Sequence, residues 1–181
     1  MAKNSNEFSK KIDIFVILKI VLIFGMLVSL FLVYEHFSAT ASEYCKFGAS
    51  FDCGIVNKGP YSTLDGISYL LTIHFNLPLP LIDIASKGFI PNLLTSNAFL
   101  GFLTLLILFL MVSAKTSKKN FLWIKNNKIT KWIKGILIFG IIYGLYLVLI
   151  QHFVIKTYCI FCLLLDIVII SSLVLVWRSQ K

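Results

Sequence analysis

Four long apolar stretches constrain the fold of this chain more than any other feature of its sequence. Each is nearly free of charge and close to the roughly 20 residues that a helix needs to cross a bilayer. They run from Ile14 to Tyr34, from Asn97 to Ala114, from Gly135 to Gln151 and from Cys159 to Trp177. Within lipid only helices and closed barrels satisfy their backbone hydrogen bonds, and these stretches are too long for barrel strands. The sequence therefore predicts an all-α integral membrane protein, a four-transmembrane-helix bundle.

The positions of the basic residues predict which side of the membrane each connection faces, because cytoplasmic flanks carry the excess of lysine and arginine. Bases cluster at both termini and in the connection of residues 115–134, which we place in the cytoplasm. Residues 35–96 hold more acids than bases and are placed outside, together with the short turn of residues 152–158. The net charge of +9 is thus a topology signal, and nucleic acid is not expected as a partner.

The external segment of residues 35–96 is not uniformly polar. After Cys53, turn residues alternate with apolar runs that are too short to span a membrane. The run from Tyr69 to Phe75 predicts one or two helical turns at the membrane surface. We expect an external loop and short-helix cap on a single membrane domain of residues 1–181.

All four cysteines fall on the predicted external side, which opens to an oxidising compartment such as a periplasm. Cys159 and Cys162 form a CxxC motif in the first turns of the last helix, where the helix dipole favours a reactive thiolate. Cys45 and Cys53 lie in a loop that is able to close on itself and to swing. A loop pair beside a pair on a helix favours a redox relay.

Three other interpretations of the cysteines remain open at this point. The two pairs could be structural disulfides, which external loops often contain. A zinc site is disfavoured because structural zinc usually draws on more closely spaced pairs, so we expect no metal. Buried, inert thiols are the third possibility, although the shared location of all four argues against it.

A relay that generates disulfides must finally pass its electrons to an acceptor other than a thiol, and in a membrane a quinone is the obvious candidate. Cys162 lies one turn deeper than Cys159 and is better placed to reach a lipid-dissolved ring. Asn97 could donate a hydrogen bond to a quinone carbonyl, or it could cap its helix. Asp166 could handle a proton, or it could be a protonated structural residue.

Three motifs together resemble the vitamin K epoxide reductase family over essentially the whole chain. They are EYCKFGASFDC at Glu43 to Cys53, SNAFLG at Ser96 to Gly101 and YCIFC at Tyr158 to Cys162. The order of the motifs favours this family over DsbB, a bacterial protein of similar function whose CxxC comes early and whose spaced pair comes late. We expect a bacterial-type homologue, a functional equivalent of DsbB without a fused thioredoxin-like domain. The family often has serine where this chain has Gly59, so that Ser62 is the nearest substitute, and the animal enzyme has tyrosine where this chain has Asp166.

The resemblance implies that Cys162 is the quinone-proximal thiol and that Cys159 exchanges with Cys53. Cys45 and Cys53 would accept electrons from a thioredoxin-like (DsbA-like) periplasmic protein. The Asn in a motif like SNAFLG contacts the quinone in the family, which favours that role for Asn97.

The main hypothesis is a membrane thiol oxidoreductase that generates disulfides. It would reside in the inner (cytoplasmic) membrane and pass electrons to ubiquinone or to a menaquinone/vitamin K type quinone. One alternative is a vitamin K quinone or epoxide reductase that uses the same cysteines. Another is a non-catalytic tetraspan protein with structural disulfides.

Overall fold

The computed structural model describes residues 2–38, 45–46, 48, 50–78, 80–117, 120–122 and 124–179 of the chain. Seven α-helices follow one another in this part of the chain. They are α1 (Ala2–Phe37), α2 (Cys53–Lys58), α3 (Gly66–Tyr69), α4 (Phe89–Thr95), α5 (Asn97–Thr116), α6 (Asn126–Ile150) and α7 (Ile160–Arg178). Short π-helical turns extend α3 through Leu70–His74 and α6 through Gln151–Ile155, and Ala85–Lys87 forms a 3₁₀ turn.

Four of these helices are long and apolar enough to cross a membrane. The candidate spans are Ile14–Phe37, Asn97–Thr116, Asn126–Ile155 and Ile160–Arg178. The predicted fold class is therefore confirmed as an all-helical protein with four long apolar helices and short helices between them. The third span begins at Asn126, nine residues before the apolar stretch at Gly135, because lysine is a good helix former and the helix continues through the basic turns. Hydropathy marks only the apolar part of such a helix.

The described chain forms two compact units, and the first comprises Met1–Leu27, Thr104–Leu145 and Leu164–Lys181. Its core consists almost entirely of aliphatic side chains that are nearly inaccessible to solvent. These are Leu18, Leu22, Leu105, Leu108, Met111, Val112, Ile129, Ile133, Leu137, Val168 and Val176. A Cβ added at Gly25 would lie 2.8 Å from a methyl carbon of Val168, so glycine permits a close helix approach here.

The second unit comprises Val28–Leu103 and Tyr146–Leu163, and it contains all four cysteines. Its short helices are joined by hydrogen bonds between segments that are distant in sequence. Asp65 Oδ2 accepts from the backbone N–H groups of Ile84 at 2.9 Å and Ala85 at 2.8 Å. The N–H of Leu64 donates to the carbonyl of Thr95 at 2.9 Å. These bonds hold the residues just before α3 to the segment around Ile84 and to the end of α4.

Replacing Asp65 with alanine is expected to release the segment around Ile84. The two backbone donors lose a charged acceptor, and each such bond contributes about 1.5–3 kcal/mol. Limited proteolysis should then cut this segment several times faster than in the parent protein. Asp83→Ala is the control, because that exposed carboxylate accepts only a local bond from the N–H of Ser86 among the described contacts. Equal cleavage of the two variants would contradict the role of Asp65.

Candidate active site

The loop cysteines form a disulfide between Cys45 and Cys53, with their Cα atoms 5.5 Å apart. Both residues are completely buried. Cys53 is the first residue of α2, and Asp52 caps this helix by accepting the N–H of Ile55 at 3.1 Å. The cap orients the helix start, and with it the sulfur of Cys53. The structure thereby decides the pairing that the sequence left open.

Cys159 and Cys162 carry thiols in the structure, and they differ in position and exposure. Cys159 is buried and stands immediately before Ile160, the first residue of α7. Its Sγ accepts the backbone N–H of Cys162 at 3.2 Å. The sequence placed both cysteines within the helix, whereas Cys159 precedes it and caps it. The first N–H groups of a helix lack internal partners, and the sulfur of Cys159 supplies an acceptor for one of them.

Gln151 holds the backbone of the CxxC motif from the preceding helical turn. Its Oε1 accepts the N–H of Cys159 at 2.8 Å, and both residues are buried. This bond satisfies a backbone donor that would otherwise be costly to bury. Sequence reasoning missed Gln151, although a polar residue at the end of a long apolar stretch was a signal.

A short parallel backbone pairing connects the loop pair to the CxxC pair. The N–H of Tyr158 donates to the carbonyl of Ser50 at 2.9 Å, and the N–H of Asp52 donates to the carbonyl of Tyr158 at 3.1 Å. The rings of Phe51 and Tyr158 also approach, with centroids 5.9 Å apart. Asp52 directly precedes Cys53 and Tyr158 directly precedes the CxxC motif. The pairing thus ties together the chain segments that carry the two cysteine pairs.

This arrangement of cysteines agrees with a comparison against protein families, in which the model of the Vitamin K epoxide reductase family matches residues 16–177. The chain belongs to the Vitamin K epoxide reductase family. Members of this family are quinone-linked thiol oxidoreductases. A comparison with curated proteins finds none that matches the chain.

In this member of the Vitamin K epoxide reductase family, Asn97, the first residue of α5, is hydrogen-bonded to the segment after α2 that contains Ser62. Asn97 donates from Nδ2 to the carbonyl of Tyr61 and from its backbone N–H to the carbonyl of Ser62, both at 2.9 Å. Capping of α5 falls to Ser96, whose Oγ accepts the N–H of Phe99 at 3.2 Å. Asn97 therefore ties the segment after the disulfide to a spanning helix. Its contact with a quinone stays a prediction.

Ser62 is buried, and its hydroxyl donates to the carbonyl of Gly59 at 2.7 Å. Ser62 also lines a cavity of about 190 Å³ whose walls include charged residues, among them Lys58, Asp65 and Asp83. A quinone ring favours an apolar environment, and this cavity is polar. A quinone contact by Ser62 stays a prediction as well.

Asp166 lies in the first unit, on α7. A Cβ added at Gly144 would collide with the Asp166 carboxylate, so glycine at this position makes room for the acid between two helices. This contact shows how the chain accommodates an acid within a spanning helix. The predicted role of Asp166 in quinone chemistry remains a prediction.

The residues around Cys162 fit a quinone by their chemistry. Cys162 is half-buried next to Ile160, which is 43% exposed, and next to Phe161, whose ring contacts that of Phe31 with centroids 4.9 Å apart. An accessible thiol in an apolar surface suits a lipid-soluble oxidant. Burial also raises the pKa of Tyr61 in the loop after α2, so its phenol stays neutral. Sequence reasoning did not single out Tyr61.

Glu35 is the third residue that the sequence did not single out, since it was counted only among the external acids. It is completely buried at the end of α1, and one of its carboxylate oxygens, Cys45 Sγ and Cys53 Sγ all lie within 4.8 Å of one another. An acid at the end of an apolar stretch is uncommon enough to have been a signal.

Proposed function

We propose that this protein generates disulfides in a thioredoxin-like (DsbA-like) periplasmic partner and passes the electrons to a quinone. The backbone pairing of Ser50 and Asp52 with Tyr158 is the observation that carries the proposal. It holds a disulfide and a dithiol on adjoining segments, as an internal relay requires. Family membership supports the quinone-linked chemistry.

The proposed route begins when a thiolate of the partner attacks the Cys45–Cys53 disulfide. The partner leaves as a disulfide, and the loop pair holds two electrons and two protons as thiols. The Cys53 thiolate then attacks Cys159 of an oxidised CxxC pair, which breaks the Cys159–Cys162 bond and forms a mixed disulfide. Attack by Cys45 on Cys53 restores the loop disulfide and leaves Cys159 and Cys162 as thiols.

A bound quinone would serve as the acceptor of the two electrons and two protons that the CxxC dithiol carries. Cys162, together with Asn97 from the start of α5, would hold the ring. Cys159 would keep its helix-capping position and be ready to close the disulfide with Cys162.

The proposal includes an orientation with both termini in the cytoplasm and the cysteines on the periplasmic side of the inner membrane. The support is the run of lysines between α5 and α6 and in the first turns of α6, since basic connections stay in the cytoplasm. A membrane-impermeant maleimide applied to intact cells should label a cysteine introduced at the exposed Lys87 and should not label a cysteine introduced at the exposed Lys125. Labelling of position 125 alone would refute this orientation.

The transfer between the pairs predicts that Cys53 and Cys159 can be trapped as a mixed disulfide. In a Cys45→Ala/Cys162→Ala variant, neither resolving thiol remains, so mild oxidation should join Cys53 to Cys159 in most molecules. Mass spectrometry of proteolytic fragments measures the linked peptide. The matched control is Cys45→Ala/Cys159→Ala, in which Cys53 and Cys162 should link at least about tenfold more slowly, because Cys162 lies one helical turn further along α7. Equal yields would argue against the assigned pairing.

A further inference from the structure

Glu35 places a carboxyl group beside the reactive disulfide of the loop. One carboxylate oxygen and the Sγ atoms of Cys45 and Cys53 lie within 4.8 Å of one another, and all three residues are buried. Glu35 belongs to the last turn of α1, a long helix, so its position does not depend on the loop. The acid is thus held at the site where sulfur–sulfur bonds are broken and formed.

The hydrogen bonds of Glu35 are incomplete. Oε2 accepts from Asn57 Nδ2 at 3.3 Å, and the same amide nitrogen donates to the carbonyl of Leu32 at 2.7 Å. Oε1 is buried, and among the described residues no group hydrogen-bonds to it. Buried polar atoms are nearly always paired, so an unpaired carboxyl oxygen indicates a role other than stabilisation of the fold. Oε1 is also the atom on which a carboxylic acid can carry its proton.

The charged and titratable groups around Glu35 are engaged elsewhere. Lys58, Asp52 and His36 are the neighbours that act electrostatically on its carboxyl group. The ammonium of Lys58 donates to the carbonyl of Ser38 at 2.6 Å, and Asp52 caps α2. The ring nitrogens of His36 contact polar groups of α2 and α4. A structural ion pair therefore does not account for the buried acid.

A metal site is the other use that an acid and two cysteines could serve. Cys45 and Cys53 are joined to each other, however, and disulfide sulfurs lack the thiolate charge that binds zinc. The arrangement suits proton transfer better than metal binding.

We infer that Glu35 is the acid–base residue of the loop disulfide. When a thiolate attacks one sulfur of the Cys45–Cys53 bond, that bond breaks and the other sulfur leaves with the electron pair. The carboxylic acid of Glu35 gives its proton to this sulfur, so that a thiol and a carboxylate result. In the reverse direction the carboxylate takes the proton from the Cys53 thiol, which becomes the attacking thiolate. The inference deepens the proposed function and rests on it for the identity of the physiological reductant.

The test measures reduction of the loop disulfide by dithiothreitol in purified, detergent-solubilised protein with a Cys159→Ala/Cys162→Ala background. Alkylation and mass spectrometry give the rate for Glu35 and for Glu35→Gln, from about pH 5 to about pH 9, where carboxyl groups and thiols change charge. The assay contains neither quinone nor a protein partner. Failure of the proposed electron route therefore leaves this result intact, and the two outcomes can be told apart.

The ratio of the two rates is the decisive quantity. A proton donor should make the Glu35 protein about a hundredfold faster at the acidic end, a gain typical of general acid catalysis. The gain should disappear as pH rises, because the carboxylate has no proton to give and repels the attacking thiolate. A ratio above about threefold that falls with pH supports the inference, since general acids act only when protonated. A ratio that is smaller, or is the same at every pH, overturns it.

Two further variants separate proton transfer from a structural effect. Glu35→Asp keeps the acid on a shorter side chain and should recover at least part of the gain at low pH, whereas a glutamine cannot. Asp83→Asn removes an exposed carboxylate of the same unit and should leave the ratio at one. Thermal unfolding of each variant shows whether it is folded. If Glu35→Gln is unfolded, the comparison of Glu35→Asp with the parent protein carries the test, and rates that in both proteins simply follow the thiolate fraction of dithiothreitol at every pH overturn the inference.

Discussion

Cys162→Ala is expected to abolish quinone reduction, lowering kcat by at least about a thousandfold, as removal of an essential nucleophile does in other enzymes. Without this sulfur, the pair at the start of α7 cannot close a disulfide and so cannot deliver two electrons. The measurement is the absorbance change of the quinone with a reduced thioredoxin-like substrate as donor. The same assay with vitamin K epoxide as acceptor distinguishes disulfide generation from epoxide reduction.

The fold should survive this substitution. Cys162 is half-buried, and its backbone N–H, which alanine retains, is the group that donates to Cys159 Sγ. Cys162→Ser is the matched control for the shape of the side chain, and it should be equally inactive. Thermal unfolding should show both variants within about 1 kcal/mol of the parent protein, which is the scale of mild core substitutions. Unchanged turnover in either variant would contradict the proposed mechanism and would favour purely structural disulfides.

Cys53→Ser is expected to have an effect of similar size, but only with a protein donor. The loop pair can no longer form its disulfide, so oxidation of the thioredoxin-like partner should fall by at least about a thousandfold. Dithiothreitol should still support quinone reduction, because Cys162 is partly accessible and a small thiol can reach the CxxC pair directly. The ratio of the rates with the two donors is the measurement.

Comparison with Cys162→Ala makes this second result informative, because that variant should be inactive with both donors. Cys45→Ser provides a further control and should resemble Cys53→Ser, since either substitution removes the loop disulfide. If Cys53→Ser oxidises the protein partner at the parental rate, electrons enter at the CxxC pair and the proposed relay is wrong.

Much of the fold was predictable from the sequence because the membrane imposes a simple rule on it. A helix that crosses lipid needs an uninterrupted apolar run, and three of the four runs lie within a candidate span, whereas the fourth begins one residue early, at Cys159. The bounds were less accurate where polar residues continue a helix, as at Asn126, because hydropathy reports the surroundings of a residue and not its hydrogen bonds. The short helices between Cys53 and Thr95 were expected only in general terms.

The candidate site was predictable in its cysteines and less so in their surroundings. The CxxC spacing indicated that Cys159 and Cys162 lie one turn apart, but not that Cys159 itself caps the helix. Asn97 was singled out by its motif, whereas its bond to the carbonyl of Tyr61 depends on how the loop after α2 folds back. Gln151 was not singled out, because its hydrogen bond to the N–H of Cys159 depends on how the chain turns between α6 and α7.

The sequence by itself determined the four spanning helices and the two cysteine pairs, because apolar length and residue spacing are local properties of a chain. Only the tertiary structure decided that Cys45 pairs with Cys53, that residues 50–52 lie against Tyr158 and that Glu35 is buried beside the disulfide. The last two bring together residues far apart in sequence, and the first depends on a loop closing. Such contacts form only when the chain folds back on itself. The need to satisfy buried polar groups then decides which of them form.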